Sequence, residues 1–360
     1  GLIHPRVNPW SSVYDRINRE IGNRKGEATN LGNLGLVYEN LSNFEKAARH
    51  HERALTINRE IGNRQGEAAN LGNLGLVYDN LGEYKKAARH HERALAINRE
   101  IGDRKFEAAN LGNLGMVYRN LGELTKAARH HEQALAIHKE IGDRRNEARQ
   151  LGNLGLVYSD LGELAKAVQH HERALAINRE IGNRKSEAAN LGNLGVVYQN
   201  MGEFKKAAQQ HERALAINCE IGNRMYEAAN LGNLGLVYDN LGEYKKAARH
   251  HERALAINRE IGDRKFEAAN LGNLGMVYRN LGELAKAAQH HERALAITRE
   301  IGDRQGEARQ LANLGKVYAE QGEKGKALAH AREGLAIAEQ IGAPPLIGQI
   351  KAIIEWIEKR

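Results

Sequence analysis

Apolar residues recur along this chain with the spacing of an amphipathic α-helix. In one segment they stand at i, i+3, i+7 and i+10, on one face of a helix: Leu71, Leu74, Tyr78 and Leu81. The next segment carries a second apolar face, made of Ala87, Ala88, Ala94, Leu95, Ile97 and Ile101. The pattern therefore predicts two consecutive helices, which we call helix A and helix B.

Glycine marks the ends of these helices. Gly102 follows the charged end of a helix B, and glycine suits the left-handed position after a helix. Asp103 then suits the N-cap of the next helix A, and Gly122 separates that helix from its helix B. We expect helix A over 103–120 and helix B over 123–141. Connections this short make the two helices antiparallel neighbours.

The glycine after helix B recurs every 40 residues without insertion or deletion, at Gly22, Gly62, Gly102, Gly142, Gly182, Gly222, Gly262 and Gly302. This period predicts eight helical hairpins over 23–342, with the boundaries 23–62, 63–102, 103–142, 143–182, 183–222, 223–262, 263–302 and 303–342. Residues 67–124 and 227–284 are identical, which indicates recent copying within the array. Uniformity among the repeats is therefore not by itself evidence of function.

The repeating motif resembles a known family. It reads Leu71-x-x-Leu74-Gly75-x-x-Tyr78, followed by Ala87 and Ala94. This is similar to the tetratricopeptide repeat signature, with Leu71 in place of the usual Trp and His91 in place of the usual aromatic residue of helix B. The repeat length is similar to that of the Partner-of-Inscuteable family, of kinesin light chains, and of sensor segments of large signalling ATPases and protease-linked proteins. The resemblance implies an all-α, right-handed superhelix whose A helices line a concave groove that binds proteins.

Both ends of the chain depart from the repeat. Within residues 1–22, the stretch 10–21 aligns with the end of a helix B, so we expect a partial repeat there and an array cut from a longer chain. Residues 343–360 are predicted to form a C-terminal capping helix, because a solenoid needs a covered last repeat. We expect Trp356 to pack inside this cap, whose apolar side is Ile350, Ile353, Ile354 and Ile357.

Three rows of residues lie opposite the Leu/Tyr face of helix A, at positions that the resemblance places in the groove. The first Asn row is Asn33, Asn73, Asn113, Asn153, Asn193, Asn233, Asn273 and Asn313. The apolar row is Leu36, Leu76, Met116, Leu156, Val196, Leu236 and Met276, ending in Lys316. The second Asn row is Asn40, Asn80, Asn120, Asn200, Asn240 and Asn280, with Asp160 and Glu320 in repeats four and eight.

These rows predict a surface for an extended chain. An Asn amide both donates and accepts hydrogen bonds, so evenly spaced amides suit a peptide backbone of any sequence. The apolar row would bury alternate side chains of such a peptide. In kinesin light chain and Partner-of-Inscuteable repeats, the matching Asn positions contribute to partner binding. The alternative is that Asn solvates an exposed face, but Asn is a mediocre helix former and lowers helix stability.

Specificity is expected from positions that differ between repeats. The variable row is Glu39, Asp79, Arg119, Ser159, Gln199, Asp239, Arg279 and Ala319. In repeats four and eight, Arg149 and Arg309 replace a small residue. These arginines suit the binding of carboxylates on a partner. Neutral drift on a solvated face is the alternative.

Adjacent histidines recur in most B helices: His50-His51, His90-His91, His130-His131, His170-His171, His250-His251 and His290-His291. Neighbouring helix residues point about 100° apart, so one pair is poorly placed to chelate a metal ion. The second histidine of each pair occupies a packing position, which favours a structural role. A pH-sensitive interface is the alternative, because many histidines titrate together.

Charge and composition narrow the function. The net charge of +8 weakly favours an acidic partner. Helix B lacks the aromatic platforms and phosphate loops of nucleic acid binders, and Arg24 with Glu27 is expected to form a local ion pair. Cys219 is the single cysteine, which excludes an internal disulfide framework. No membrane-length apolar run or signal peptide is visible, so we expect a cytoplasmic protein.

No nucleophile with a base and an orienting partner can be assembled from these repeats, so we expect neither enzymatic activity nor a cofactor or metal. The expected function is that of a monomeric scaffold or adaptor that binds an extended peptide or helix of a partner protein. Two alternatives stay open. In the first, the chain is a sensor segment of a larger signalling ATPase or protease-linked protein. In the second, it is an array that self-associates head to tail.

Overall fold

The computed structural model describes residue 18 and residues 21–360, and every regular element in that part of the chain is an α-helix. The all-α fold class is confirmed. Nearly all of the expected partial repeat at 10–21 lies outside the described residues, so that expectation stays a prediction.

The described helices are numbered α1–α17 in chain order. Helix A of the eight repeats is α1 (Arg24–Asn40), α3 (Arg64–Asn80), α5 (Arg104–Asn120), α7 (Arg144–Asp160), α9 (Arg184–Asn200), α11 (Arg224–Asn240), α13 (Arg264–Asn280) and α15 (Arg304–Glu320). Helix B is α2 (Phe44–Glu60), α4 (Tyr84–Glu100), α6 (Leu124–Glu140), α8 (Leu164–Glu180), α10 (Phe204–Glu220), α12 (Tyr244–Glu260), α14 (Leu284–Glu300) and α16 (Lys324–Gln340). The C-terminal helix is α17 (Pro344–Glu358).

The helix ends follow the predicted signals. Gly102 and Gly122 adopt left-handed φ angles of 72° and 76°. The Asp103 side chain caps α5 by accepting a hydrogen bond from the backbone N–H of Phe106. Helix B of repeats two to eight has a weaker start, because a glutamate such as Glu123 precedes it without a side-chain cap. The hairpins are therefore delimited mainly by glycine turns and by capped A helices.

The chain divides into two compact units between Gly182 and Asn183. The first unit contains α1–α8, and the second contains α9–α17. In each unit, helix B of one repeat packs on helix A of the next, and successive A helices also touch. Among the described residues of a unit, no Cα atoms of successive B helices approach in the same way. Each unit therefore curves toward its A helices, and their free side forms its inner face.

The core of each hairpin lies between the predicted apolar faces. Leu71 and Leu74 are completely buried and share a cluster with Ala94 of the paired helix. The prediction that Leu81 and Ile101 belong to these apolar faces is wrong, because the two residues are 38% and 39% exposed. Each of these two residues is the C-cap of its helix and lies beyond the last turn that faces the core.

Helix α17 packs on both helices of repeat eight and buries Leu346, Ile350 and Ile357. The expectation that Trp356 packs inside this cap is wrong. Its side chain is 36% exposed, and the Arg360 guanidinium lies 4.6 Å from the centre of the indole ring. The helix itself occupies the place that helix A of a ninth repeat would take.

Candidate partner-binding surface

A glycine against a histidine ring sets the distance between helix A and helix B. A Cβ atom at Gly75 would lie 2.5 Å from the Cε1 and Nε2 atoms of the buried His91. Helix B therefore packs directly on the backbone of helix A. The same contact recurs at Gly35–His51, Gly115–His131, Gly155–His171, Gly195–His211, Gly235–His251 and Gly275–His291.

The buried histidine also joins neighbouring repeats. His91 Nδ1 lies 3.0 Å from Oδ1 of Asn110 in the next helix A. The Asn110 amide nitrogen donates to the Phe106 carbonyl, so its oxygen is the acceptor and His91 Nδ1 carries the proton. Burial lowers the pKa of His91 to about 4. His91 is therefore neutral near pH 7, and its contacts with Gly75 and Asn110 give it a structural role.

The first Asn row lies on the inner face of each unit. Asn73, Asn113 and their equivalents are half-buried, and Asn33 is exposed. Within the described part of the chain, no hydrogen bond engages their side-chain amides. Each amide is therefore free to pair with an external peptide group.

The apolar row runs beside these amides. Leu76 is 38% exposed and Met276 is 42% exposed, although both side chains are large and apolar. Met116, Leu156 and Lys316 are half-buried. Together the two rows give the inner face of each unit free amides next to apolar contact area.

The side chains of the second Asn row are less available to bind a partner than the sequence suggests. Asn80 donates to the Leu76 carbonyl of its own helix at 2.9 Å. Asn120 instead donates across the repeat boundary to Asp79 Oδ1 at 3.3 Å, and burial raises the pKa of Asp79. The expected role of this row in backbone binding stays a prediction, and it competes with these internal bonds.

Two arginines of the variable row already hold carboxylates within the chain. Arg119 Nε donates to Asp160 Oδ2 at 2.5 Å, and Arg279 Nη2 donates to Glu320 Oε1 at 2.7 Å. In contrast, Arg149 and Arg309 are exposed, and no ion pair engages them among the described residues. The last two are therefore better placed to bind an external anion.

The variable row also lies over the buried histidines, which the sequence pattern does not reveal. Glu39 Oε1 lies 2.7 Å from His51 Nε2, and Gln199 Oε1 lies 3.2 Å from His211 Nε2. A residue that differs between repeats thus contacts a constant core group. The available signal is the spacing of 12 residues between the members of each pair.

Ion pairs across helices are a second feature that sequence reasoning missed. Arg24 and Glu27 form the expected local pair at 2.6 Å. In repeat two, Glu67 is bound by Arg64 at 2.5 Å and by Arg59 of the preceding helix B at 2.8 Å. Arg64 also pairs with Glu100 of its own helix B. These ion pairs connect helices at the edge of the hairpin stack and do not involve the two rows of the inner face.

Comparison with known families now identifies the repeat. A family model for the tetratricopeptide repeat matches residues 26–100, 106–180, 181–260 and 266–340. The chain belongs to the tetratricopeptide repeat family. This confirms the family predicted from the Leu-Gly-Tyr motif. No curated protein matches the sequence.

Solved tetratricopeptide repeat structures share the fold. BtubC (BKLC) from P. vanneervenii is 24% identical, with 61% of this chain and 92% of that chain covered and a TM-score of 0.56. A signal transduction ATPase with a tetratricopeptide repeat sensor from Pyrococcus horikoshii is 17% identical. The alignment covers 97% of this chain and 56% of that chain, with a TM-score of 0.69. A Rap protein complexed with competence and sporulation factor is 14% identical. Here the alignment covers 93% of this chain and 98% of that chain, with a TM-score of 0.54. At these identities the likeness shows the fold alone.

Two features are absent from the described residues 21–360. None of the tetratricopeptide helices is long and apolar enough to cross a membrane. Within the same residues, no group of three or more His, Cys, Asp or Glu side chains is placed to hold a metal ion.

Proposed function

We propose that the chain is a tetratricopeptide repeat scaffold that binds an extended segment of a partner protein along the inner face of a unit. The observation that carries this proposal is the first Asn row, whose amides lie uncommitted beside an exposed apolar row. Asn233 and Leu236, for example, stand three residues apart on α11 and face the same side.

The rows divide the recognition into two parts. Amides such as Asn193 and Asn233 pair with the backbone of the bound segment, which holds the segment without regard to its sequence. Side chains such as Val196 and Leu236 contact its apolar residues and remove them from water. The variable row selects among partners, because Asp239 and Gln199 present different charges at equivalent positions.

The test uses the full chain as bait, with crosslinking to recover a partner segment that is then synthesised and titrated by fluorescence anisotropy. We expect the double variant Asn193→Ala/Asn233→Ala to bind at least about tenfold more weakly, since about 1 kcal/mol is lost per hydrogen bond. Gln209→Ala is the matched control, because it removes an exposed amide from helix B of the second unit. Equal affinity of wild type and double variant would count against the inner face.

The Pyrococcus horikoshii likeness favours a second candidate function. That protein is described as carrying a tetratricopeptide repeat sensor, and it aligns with 97% of this chain. In this alternative the chain is the sensor segment of a larger signalling ATPase. The complete gene tests it: a coding sequence that contains no nucleotide-binding domain beside this array excludes the sensor function.

A further inference from the structure

One boundary between repeats in the second unit is built differently from its neighbours. Repeat five meets repeat six there, through helix B α10 and helix A α11. The boundaries two–three, six–seven and seven–eight share four contacts: an arginine ion pair, a covered leucine, a bridge between A helices and an N-cap. Each of the four is changed at the boundary five–six.

The ion pair is the first difference. Arg99 at the end of α4 donates to Glu107 of the next helix A at 2.9 Å. Cys219 stands at the equivalent position of α10 and offers Glu227 a thiol in place of a guanidinium. A protonated thiol is a weak hydrogen-bond donor without charge, so the attraction between the two repeats is reduced at this edge.

The covered leucine is the second difference, and it has the same cause. Residues four apart on a helix are neighbours, so the aliphatic part of a long side chain such as Arg99 covers the leucine one turn before it. Leu95 is accordingly 6% exposed, whereas Leu215, one turn before Cys219, is half-buried. The buried residues of this boundary divide into two clusters that both contact Leu215, while the boundary two–three has a single cluster.

The bridge between A helices is the third difference. At the boundary two–three, Asn120 donates to Asp79 Oδ1 across the repeats at 3.3 Å. The equivalent residues of repeats five and six turn away from each other. Gln199 Oε1 lies 3.2 Å from His211 Nε2 of its own repeat, and the Asn240 amide donates to a carbonyl of its own helix at 2.8 Å. In the described structure neither side chain connects the two A helices.

The N-cap is the fourth difference. Among the described A helices, α11 is the only one whose N-cap side chain accepts no backbone hydrogen bond. The residue is Asn223, whereas Asn63 and Asp103 cap α3 and α5. Loss of this hydrogen bond destabilises the first turn of α11, which directly follows α10.

No other boundary within a unit combines these differences among the described residues. The boundary one–two lacks the bridge, but Arg59 binds Glu67 there at 2.8 Å and Asn63 caps α3. The boundary three–four has Lys139 in place of the arginine and keeps its bridge and its cap. The boundary five–six is therefore expected to be the least stable boundary in either unit.

We infer that the second unit is hinged between repeats five and six, and that Cys219 is the residue that loosens the hinge. In a stack of repeats each repeat contacts its neighbours alone, so a weak boundary opens without disturbing the others. Opening changes the distance between Asn193 on α9 and Asn233 on α11, and with it the spacing of the first Asn row. The inference rests on these contacts and does not depend on the proposed function.

The experiment measures distances between nitroxide labels on the full chain by double electron–electron resonance. In a Cys219→Ser chain, which keeps a short side chain there, Gln209→Cys/Arg249→Cys places labels on the B helices on both sides of the hinge. Arg249→Cys/Gln289→Cys is the matched pair across the boundary six–seven, because all three residues are exposed and lie 40 residues apart. We expect the first pair to give a distance distribution at least about twice as broad as the second.

Cys219→Arg in place of Cys219→Ser restores the long cationic side chain. It should remove at least about half of the excess breadth of the first pair, because Glu227 regains its ion pair and Leu215 its cover. Arginine occurs at the equivalent Arg99 and Arg259, so this variant is expected to fold, which circular dichroism checks. Lys139→Arg, made in the Cys219→Ser chain, is the control. It adds an arginine at the same repeat position in the first unit and should leave the first pair unchanged.

Equal breadth for the two label pairs in the Cys219→Ser chain overturns the hinge, and so does a breadth that Cys219→Arg leaves unchanged. No partner is present in these samples. The result is therefore independent of the binding test with Asn193→Ala/Asn233→Ala, and failure of either experiment leaves the other conclusion standing.

Discussion

At the scale of single residues, the turn from helix A to helix B requires a left-handed backbone. Gly82 and Gly122 supply it with φ angles of 73° and 76°, as do the equivalent glycines of later repeats. Repeat one has Ser42 there instead, with φ of 55°. It is the only non-glycine residue with positive φ among the described residues. A side chain in this conformation costs about 1–2 kcal/mol, so the turn of repeat one is strained where the other turns are relaxed.

Ser42→Gly is therefore expected to stabilise the chain. Glycine removes the strain but adds about 0.5–1 kcal/mol of backbone entropy to be lost on folding, which leaves a net gain of about 0.5–1 kcal/mol. Urea denaturation of the full chain measures this gain in the free energy of unfolding from the first unfolding transition. Ser42→Ala is the control and should not stabilise, because alanine keeps the Cβ atom. A Ser42→Gly protein no more stable than wild type contradicts the assignment of strain.

At the scale of the helix, two glycines of α3 have opposite roles. Gly75 faces the His91 ring so closely that a Cβ atom would lie 2.5 Å from it. At Gly72 the nearest atom to such a Cβ is Asn110 Oδ1, 3.6 Å away, which is an ordinary contact. Repeat eight already has Ala312 at the position of Gly72. Of these two glycines, only Gly75 is therefore required by packing.

We expect Gly75→Ala to destabilise the chain by about 1–3 kcal/mol, because the buried ring must shift in a packed core. Gly72→Ala should instead stabilise it by up to about 1 kcal/mol through helix propensity. The two variants make the same chemical change one turn apart, so each is the control for the other. Denaturation midpoints that move in the same direction would show that the histidine contact does not limit helix spacing.

The helices and the exposed face of helix A were predictable because their signals are local. Gly102 and Asp103 mark a helix boundary by their own backbone preferences, and a rotation of 100° per residue assigns the first Asn row and the apolar row. The bond from Arg119 to Asp160 was not predictable. It spans 41 residues and depends on the distance between successive A helices. No single hairpin sequence fixes that distance, so the availability of each site arginine required the structure.

At the scale of the whole molecule, the identical segments 67–124 and 227–284 lie in different units. Their internal geometry is nevertheless the same. Asn120 donates to Asp79 at 3.3 Å in one segment, and Asn280 donates to Asp239 at 3.1 Å in the other. Contacts within two neighbouring repeats thus follow from their own sequence. Differences in function between the units must come from the residues that differ, such as those around Lys316.

Buried histidines make the stability of the whole chain depend on pH. Burial lowers the pKa to about 4 in four of them: His91, His131, His211 and His291. An unfolded histidine titrates near about 6.5, so between these values the unfolded chain binds more protons than the folded chain. The free energy of unfolding should therefore be constant above about pH 7 and fall below about pH 6.5, by up to about 1.4 kcal/mol per pH unit for each histidine.

Urea denaturation between about pH 7.5 and 5 measures this slope in a window where carboxylates with a pKa of about 4 contribute little. His131→Asn should reduce the slope, even if it lowers stability at every pH, whereas Gln209→Ala removes an exposed side chain that does not titrate and should leave the slope unchanged. A profile that stays flat down to about pH 5 would show that these side chains accept protons without disturbing the hairpins.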